Sequence, residues 1–167
     1  MNIAIIGGGA AGFFAAANIR GNNITVFEKS ARPMEKVRVS GGGRCNITNS
    51  EIDLNSLNKY YPRGFKELRQ AMNVFGCADT MKWFESRGLK LKTENEGKVF
   101  PVSDNSADVI KLLQSSAEKA GAKIIFNKQV SEIIPENGRY ILLFKNDERR
   151  YEFDKVFVST GGLNKTG

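Results

Sequence analysis

The glycines near the start of the chain have the spacing of a phosphate-binding turn. Gly7, Gly9 and Gly12 form a GxGxxG pattern between an apolar run and a helical one. In such a turn the first glycine reverses the chain, the second lets the backbone approach a pyrophosphate, and the third allows close packing of helix and strand. The N–H groups at the helix start, including those of Ala10 and Ala11, would then face the phosphates. The pattern predicts a dinucleotide site at this turn.

A second candidate, Glu28, directly follows the next apolar run, sixteen residues beyond Gly12. An acidic residue at this place typically accepts hydrogen bonds from the ribose hydroxyls of a bound dinucleotide. The alternative is an ordinary surface glutamate at a strand end. Because a carboxylate repels a 2′-phosphate, NADP is a poor occupant of this site, whereas NAD and FAD both fit the two signals.

The elements that would position these residues follow from the hydrophobic pattern. We predict strands at 2–6 and 24–27 around a helix at 10–19, which together make one βαβ unit. Helices are predicted at 65–75, 78–87 and 106–120, a hairpin from 89–92 and 98–100, and later strands at 122–126, 129–134, 140–144, 151–153 and 156–159. Residues 30–49 are expected to form an ordered loop and 53–64 a connection. This order predicts an α/β fold, with a parallel sheet and an antiparallel β-meander.

The segment 40–49, SGGGRCNITN, is basic and glycine-rich. In flavoproteins of the glutathione-reductase-like type, the segment after the ribose-binding acid loops back over the cofactor. The glycines, including Gly42 and Gly43, permit close backbone approach, and Arg44 is placed to neutralise a pyrophosphate. Asn46 and Thr48 offer hydrogen bonds to ribityl or ring atoms, and Arg38 joins the candidate cofactor-binding residues. A flexible loop is the alternative interpretation.

Three stretches together resemble a known group of bacterial flavoproteins: GGGAAG at 7–12, SGGGRCNITN at 40–49 and GKVFPVSDNSADVIKLL at 97–113. The chain is similar to the BaiN-like or aminoacetone-oxidase-like family of NAD(P)/FAD-dependent oxidoreductases, also called NAD-utilizing dehydrogenases. The resemblance implies a Rossmann-like, glutathione-reductase-like FAD-binding domain that holds FAD without a covalent bond. It implies that the cofactor is lined by Gly7, Gly9, Gly12, Glu28, Lys29, Arg44, Cys45 and Asn46, that the backbone of Val130 meets the adenine, and that Thr160 and Gly161 belong to a second FAD motif.

The resemblance also implies an oxidoreductase in which FAD passes a hydride or electron pair, with NAD(P)H as the partner. Members of this family are much longer, so we expect residues 1–167 to be the N-terminal portion of an FAD-binding domain, without the substrate domain and the C-terminal segment of the FAD domain. Two alternatives stay open. One is a non-catalytic dinucleotide-binding fragment or module, and the other is an RNA-acting flavoprotein.

The composition narrows the classes of function that the sequence allows. The net charge of +7 suits an anionic partner, but Lys and Arg are scattered along the chain, so a small-molecule substrate is expected and nucleic acid is not. With no histidine and only Cys45 and Cys77, we expect no metal site, no redox disulfide and no catalytic acid or base within the chain. No apolar run approaches the roughly 20 residues of a membrane span, and the start lacks a signal peptide, so we expect a cytoplasmic protein.

Overall fold

The computed structural model describes residues 1–162. Two compact units divide the chain, one formed by residues 1–37 with those from 113 onward, the other by residues 38–112. The strands are β1 (Asn2–Ile6), β2 (Asn23–Phe27), β3 (Thr48–Asn49), β4 (Leu91–Thr93), β5 (Lys98–Pro101), β6 (Lys123–Ile125), β7 (Val130–Glu136), β8 (Arg139–Phe144), β9 (Asp147–Phe153) and β10 (Lys155–Val158). The α-helices are α1 (Ala10–Asn18), α2 (Glu35–Val39), α3 (Leu57–Tyr60), α4 (Phe65–Val74), α5 (Cys77–Glu85) and α6 (Ser106–Lys119).

A four-stranded parallel sheet in the order β10-β1-β2-β6 forms the centre of the first unit. Ile5 of β1 lies beside Val26 of β2 and Phe157 of β10. Ala4, Ile5 and Val26 are completely buried. A run of apolar residues without alternation is what a parallel strand covered on both faces requires, and this confirms the predicted βαβ start.

The predicted antiparallel meander is also confirmed, as a sheet in the order β7-β8-β9. Asn137 and Gly138 connect its first two strands with φ values of 51° and 77°, and a two-residue hairpin turn favours such positive values. The meander shares a hydrophobic core with the parallel sheet, since the Phe27 ring lies 4.8 Å from that of Phe144 and 5.7 Å from that of Phe153.

The second unit contains a small antiparallel sheet in the order β3-β5-β4, which includes the predicted hairpin. Here the sequence-based prediction of a loop over 30–49 is wrong in part, because α2, a 3₁₀ turn at Ser40–Gly43 and β3 lie within it. The connection predicted over 53–64 likewise contains a 3₁₀ turn at Leu54–Ser56 and the short helix α3. Elements of two to five residues have too few local hydrogen bonds to be stable alone, so their sequence carries little signal and tertiary contacts decide them.

No helix within residues 1–162 combines the length and the apolar character needed to cross a membrane.

Candidate dinucleotide-binding site

The turn between β1 and α1 is held against the end of β10. Gly7 has a φ of +110°, and its N–H donates to the Phe27 carbonyl over 2.9 Å. A Cβ atom on Gly7 would lie 2.5 Å from the carbonyl oxygen of Ser159. Both the backbone conformation and the packing at this position therefore require glycine.

Gly12 lies where α1 crosses this turn. A Cβ atom on Gly12 would lie 2.1 Å from the Gly7 carbonyl oxygen and 2.9 Å from Ser159 Oγ. The Ser159 hydroxyl is itself fixed, because it donates to the carbonyls of Ile6 and Gly7 over 3.1 and 3.0 Å. The helix can approach the strand this closely only without a side chain at position 12.

Gly9 differs from its two neighbours in the motif. Its φ is −88°, and a Cβ atom there would meet only the Ser159 carbonyl oxygen, at an ordinary 4.0 Å. Packing among the described residues thus gives no reason for glycine at this position. Gly9 is the N-cap of α1, and no side chain caps the helix there or places an acidic group in its first turn. Exposed N–H groups at an uncapped helix start suit an anion that approaches the backbone closely.

We expect Gly9→Ala to weaken the binding of FAD roughly tenfold to hundredfold, because the added methyl group would occupy the space of the pyrophosphate. The stability of the ligand-free chain should fall by no more than about 1 kcal/mol, since the methyl group meets no crowded atom. Fluorescence titration with FAD and thermal melting of the ligand-free protein would measure the two effects. Equal affinity in the variant and the parent would contradict the assignment of Gly9 to the phosphates.

The carboxylate of Glu28 is fixed by two backbone donors. Oε2 accepts from the Gly8 N–H over 2.7 Å and Oε1 from the Ser30 N–H over 2.8 Å. Gly8 is packed so closely that a Cβ atom there would lie 2.9 Å from the Glu28 Cβ. Each carboxylate oxygen has further lone pairs. Glu28 can therefore accept hydrogen bonds from ribose hydroxyls while it remains anchored to the glycine turn, the turn between β1 and α1.

A cleft of about 210 Å³ opens beside Glu28, at the carboxyl ends of β1 and β2. Five of the residues predicted from the sequence line it: Gly7, Glu28, Lys29, Val130 and Thr160. Ligands of open α/β sheets bind at this edge of the sheet. The remaining lining residues, which sequence reasoning did not select, are Ile6, Phe27, Lys128 and Gln129.

Lys128 lies at the edge of this cleft within a group of polar and aromatic side chains. Its ammonium group pairs with the Asp147 carboxylate and lies 4.9 Å from the centroid of Phe144 and 5.3 Å from that of Tyr151. Arg149, Lys128 and Tyr151 bond to the same carboxylate and hold the pKa of Asp147 well below its usual range. No sequence motif predicts Lys128 as a site residue, because the residues that contact it, such as Asp147 and Phe144, lie in the later meander.

The chain after Glu28 returns to the glycine turn. The buried Met34 adopts a φ of 57°, and its N–H donates to the Gly8 carbonyl over 3.0 Å. Lys36 Nζ donates to the Gly162 carbonyl over 2.7 Å, in the segment predicted as a second cofactor motif. Sequence reasoning did not select Gly8, Met34 or Lys36. The run of three glycines at 7–9 is a sequence signal that includes Gly8. Met34 and Lys36 belong to no motif, so the sequence gives no signal for them.

The glycine-rich segment lies in the unit of residues 38–112. Gly41, Gly42 and Gly43 have φ values of 56°, 68° and 87°. A Cβ atom on Gly41 would lie 2.8 Å from the backbone nitrogen of Asn46 and 3.0 Å from Cε1 of the Phe100 ring. Three successive residues in the left-handed region give a compact, defined turn instead of a flexible loop.

The guanidinium group of Arg44 has partners of its own in this unit. It stacks 3.9 Å above the ring centroid of Phe100 and bonds to the Glu94 carboxylate over 3.0 Å and to Asp104 over 3.5 Å. Lys92 bonds to the same two carboxylates over 3.1 and 2.6 Å. Arg44 and Phe100 belong to two of the three stretches that carry the family resemblance, and the structure packs these two stretches together.

We expect the network of Arg44, Lys92, Glu94 and Asp104 to make stability sensitive to acid. Hydrogen bonds from Arg44 lower the pKa of Glu94, and hydrogen bonds from Lys92 lower the pKa of Asp104. A lowered folded-state pKa gives stability that is complete above the ordinary carboxyl pKa and is lost as pH falls through the lowered value. Denaturant unfolding between about pH 5 and pH 2 should therefore show a shallower pH dependence for Glu94→Gln/Asp104→Asn than for the parent. Parallel curves would contradict this role.

Cys45 and Asn46 complete the glycine-rich segment. Cys45 is buried with a φ of 63°, and burial raises the pKa of its thiol. The Asn46 side chain lies between two carbonyls, and the amide orientation that satisfies both places its nitrogen as a donor 2.9 Å from the Thr48 oxygen and 3.2 Å from the Val99 oxygen. Arg38 contributes its carbonyl, which accepts from the hydroxyl of the buried Ser106 over 2.9 Å.

A thiol-reactive probe should distinguish the two cysteines. Because only the thiolate reacts, the raised pKa and the burial of Cys45 should make its alkylation in the folded protein much slower than that of the half-buried Cys77. Mass spectrometry of peptides after a timed iodoacetamide pulse would measure both rates, and unfolded protein would serve as the control. Equal rates in the folded protein would contradict this assignment.

The predicted site residues thus lie in both compact units. Gly7, Gly9, Ala10, Ala11, Gly12, Glu28, Lys29, Val130, Thr160 and Gly161 belong to the first unit, and Arg38, Gly42, Gly43, Arg44, Cys45 and Asn46 to the second. The first group surrounds the glycine turn and its cleft. For the second group, contact with the cofactor stays a prediction. No group of three or more metal-binding side chains occurs among residues 1–162.

Comparison with known families agrees with this geometry. A family model described as the HI0933-like protein Rossmann domain matches residues 1–167. The chain belongs to this family. The match confirms the Rossmann fold and the family resemblance recognised from the sequence.

Two curated proteins are similar to this HI0933-like domain. The chain is 30% identical over 164 residues to the 3-dehydro-bile acid delta(4,6)-reductase of Clostridium scindens, covering 96% of this chain and 39% of that protein. It is 28% identical over 167 residues to the ribosomal RNA dihydrouridine synthase of Haemophilus influenzae, covering 98% of this chain and 41% of that protein. The chain therefore spans about two fifths of the length of these relatives.

Among solved structures, the fold of the HI0933-like domain is similar to that of a flavocytochrome c3 fumarate reductase in its open conformation. The TM-score is 0.69 at 20% sequence identity, and the match covers 96% of this chain and 33% of the other. This likeness supports the α/β Rossmann fold.

Proposed function

We propose that this chain binds the ADP half of FAD and belongs to an FAD-dependent oxidoreductase that uses NAD(P)H as its electron donor. The observation that carries the proposal is the contrast among the three motif glycines. Packing within the chain accounts for Gly7 and Gly12, whereas Gly9 faces open space at the uncapped start of α1. A pyrophosphate beside the backbone accounts for glycine at position 9.

The neighbouring residues fit the rest of the ADP group. Glu28, anchored by Gly8 and Ser30, would accept the ribose hydroxyls, and the cleft beside Val130 would receive the adenine. The resemblance of SGGGRCNITN to flavoprotein sequences favours FAD over NAD. When bound, FAD would supply a carrier that accepts a hydride from a donor and passes it to a substrate.

The names of the relatives suggest the class of reaction. A dihydrouridine synthase adds two hydrogens across the carbon–carbon double bond of uracil, and a delta(4,6)-reductase of a 3-dehydro-bile acid saturates double bonds conjugated with a ketone. Both substrates thus have a carbon–carbon double bond conjugated with a carbonyl group. We extend the proposal to the reduction of such bonds.

The first experiment is a visible absorption spectrum of the complete protein that carries this chain, followed by chromatography of the chromophore released on denaturation. The proposal expects FAD, close to one per chain. A protein that contains no flavin and takes up NAD instead of added FAD would overturn the proposed cofactor.

The second experiment tests the reaction. Under anaerobic conditions NADH or NADPH should bleach the flavin, and an α,β-unsaturated ketone should restore its colour. The matching saturated ketone is the control and should leave the flavin reduced. A flavin that neither donor reduces would favour the alternative function, a non-catalytic dinucleotide-binding module.

A further inference from the structure

The Asp147 carboxylate at the start of β9 accepts hydrogen bonds from three side chains. It is 10% exposed and pairs with the ammonium group of Lys128. Arg149 donates to it through its backbone N–H over 3.0 Å and through Nε and Nη2 over 2.9 Å each. The Tyr151 hydroxyl also donates to it, over 2.9 Å. A carboxylate with this many donors is fixed in position and restrains the groups that bond to it.

The two cations on this carboxylate differ in their surroundings. The side chain of Arg149 is 75% exposed, whereas that of Lys128 is 17% exposed. The Lys128 ammonium group also lies 4.9 Å from the ring centroid of Phe144. Of the two cationic residues, Lys128 is the one that lines the cleft beside Glu28. Since its charged end is held by the meander, the methylene stem is the part of Lys128 that is left to form the wall of the cleft.

The backbone of Lys128 is bonded to Glu28, the proposed ribose ligand. The Lys128 N–H donates to the Glu28 carbonyl over 2.9 Å, and the N–H of the preceding Asn127 donates to the Ser30 carbonyl over 3.3 Å. The Ser30 N–H in turn donates to the Glu28 carboxylate. Lys128 therefore joins the Glu28 segment through its backbone to the meander through its side chain.

The meander also supports the apolar part of the cleft. Ile6 and Phe27 are buried residues that line it. The ring of Phe27 lies 4.8 Å from that of Phe144, which in turn lies 5.0 Å from that of Tyr151. The meander thus contacts the cleft at two points, through Phe27 and through Lys128.

We propose that Asp147 is a positioning residue that holds the stem of Lys128 as a wall for the adenine of the cofactor. The inference rests on the proposed function, which places adenine in this cleft. An adenine ring gains affinity from apolar contact on its faces. A lysine stem that is fixed at its charged end has already lost rotamer freedom on folding, so less is lost on binding. A lysine that served as a phosphate ligand would need its charge free, and Asp147 already neutralises it.

The first test compares Lys128→Met with Arg149→Met in the complete protein that carries this chain, freed of flavin. Both substitutions remove one cation from the same carboxylate and leave an unbranched side chain. Because a methionine stem is no longer held by Asp147, Lys128→Met should weaken ADP binding about tenfold in isothermal titration, whereas Arg149→Met should stay within about twofold of the parent. Thermal melting of the same samples records the loss of stability, which both variants should share. Equal ADP affinities in the two variants would overturn the proposal.

A second set of variants separates positioning from direct charge. Asp147→Asn and Lys128→Met/Asp147→Asn should each weaken ADP binding by about the same factor as Lys128→Met alone, since all three remove the same ion pair. Lys128→Arg, which can still pair with Asp147, should keep most of the affinity. A rise in ADP affinity in Asp147→Asn would identify Lys128 as a phosphate ligand and overturn the proposal. A loss in Lys128→Arg as large as that in Lys128→Met would also overturn it.

Titration with FAD beside ADP separates this inference from the proposed function. A parent protein that binds ADP but not FAD would overturn the proposed cofactor, while the ADP affinities of the variants would still decide the role of Asp147. A parent that binds FAD, with Lys128→Met and Arg149→Met binding it equally well, would overturn this inference and leave the proposed function standing. A parent that binds neither ligand would overturn both.

Discussion

Replacing Gly12 with alanine is expected to lower both the stability of the first unit and its affinity for FAD. The new Cβ atom would lie 2.1 Å from the Gly7 carbonyl oxygen, which is backbone and cannot rotate away. It would also lie 2.9 Å from Ser159 Oγ, whose hydroxyl is held by two carbonyls. Helix α1 would therefore have to move away from β1, at a cost of about 3 kcal/mol.

The loss of FAD should follow from the same displacement. If α1 moves, its N–H groups no longer point at the predicted phosphate position. The side of the cleft that Gly7 and Glu28 line should also open. We expect the affinity for FAD to fall at least about a hundredfold. Urea unfolding of the ligand-free protein and FAD titration of the folded fraction measure the two effects separately.

The Gly9→Ala variant is the matched control for this experiment. It adds the same methyl group three residues earlier, in the same turn, where that group meets only one atom at 4.0 Å. Gly12→Ala should lose stability and binding, whereas Gly9→Ala should lose binding alone. A Gly12→Ala protein as stable as its parent would show that close packing of α1 on the turn does not stabilise this fold.

The second large effect is expected from Glu28→Gln. The carboxylate accepts from the N–H groups of Gly8 and Ser30, one on each oxygen. An amide of the same size has one acceptor oxygen and one NH₂ group, so one of these backbone donors would face another donor. Loss of this charge-assisted bond should lower the free energy of unfolding by about 2 kcal/mol.

Binding should suffer more than stability. The neutral amide is a weaker acceptor for the ribose hydroxyls, and the glycine turn that it anchors would loosen. We expect FAD to bind at least about a hundredfold more weakly, which isothermal titration or fluorescence quenching can measure. Glu132→Gln, at an exposed position on β7, is the control and should match the parent in both measurements. Normal FAD affinity in Glu28→Gln would exclude Glu28 as the ribose ligand.

The sequence alone determined the βαβ start and the order of the larger elements. Strand β1 has the predicted bounds, and α1 and β2 differ from the predictions by one residue each. These elements were accessible because their signals are local. A short apolar run indicates a buried strand, and the glycine spacing indicates a tight turn before a helix. Neither signal depends on the rest of the chain.

Only the tertiary structure decided what those signals contact. Ser159 closes the glycine turn from more than 140 residues away, and Lys128 reaches the cleft through partners in the meander. A cation beside glycines suggests a phosphate site, and the contact of Arg44 with a pyrophosphate stays a prediction. In the fold Arg44 pairs with Glu94 and Asp104 and stacks on Phe100. A sequence pattern specifies what a side chain can bind, but its partners depend on which distant segments the fold places next to it.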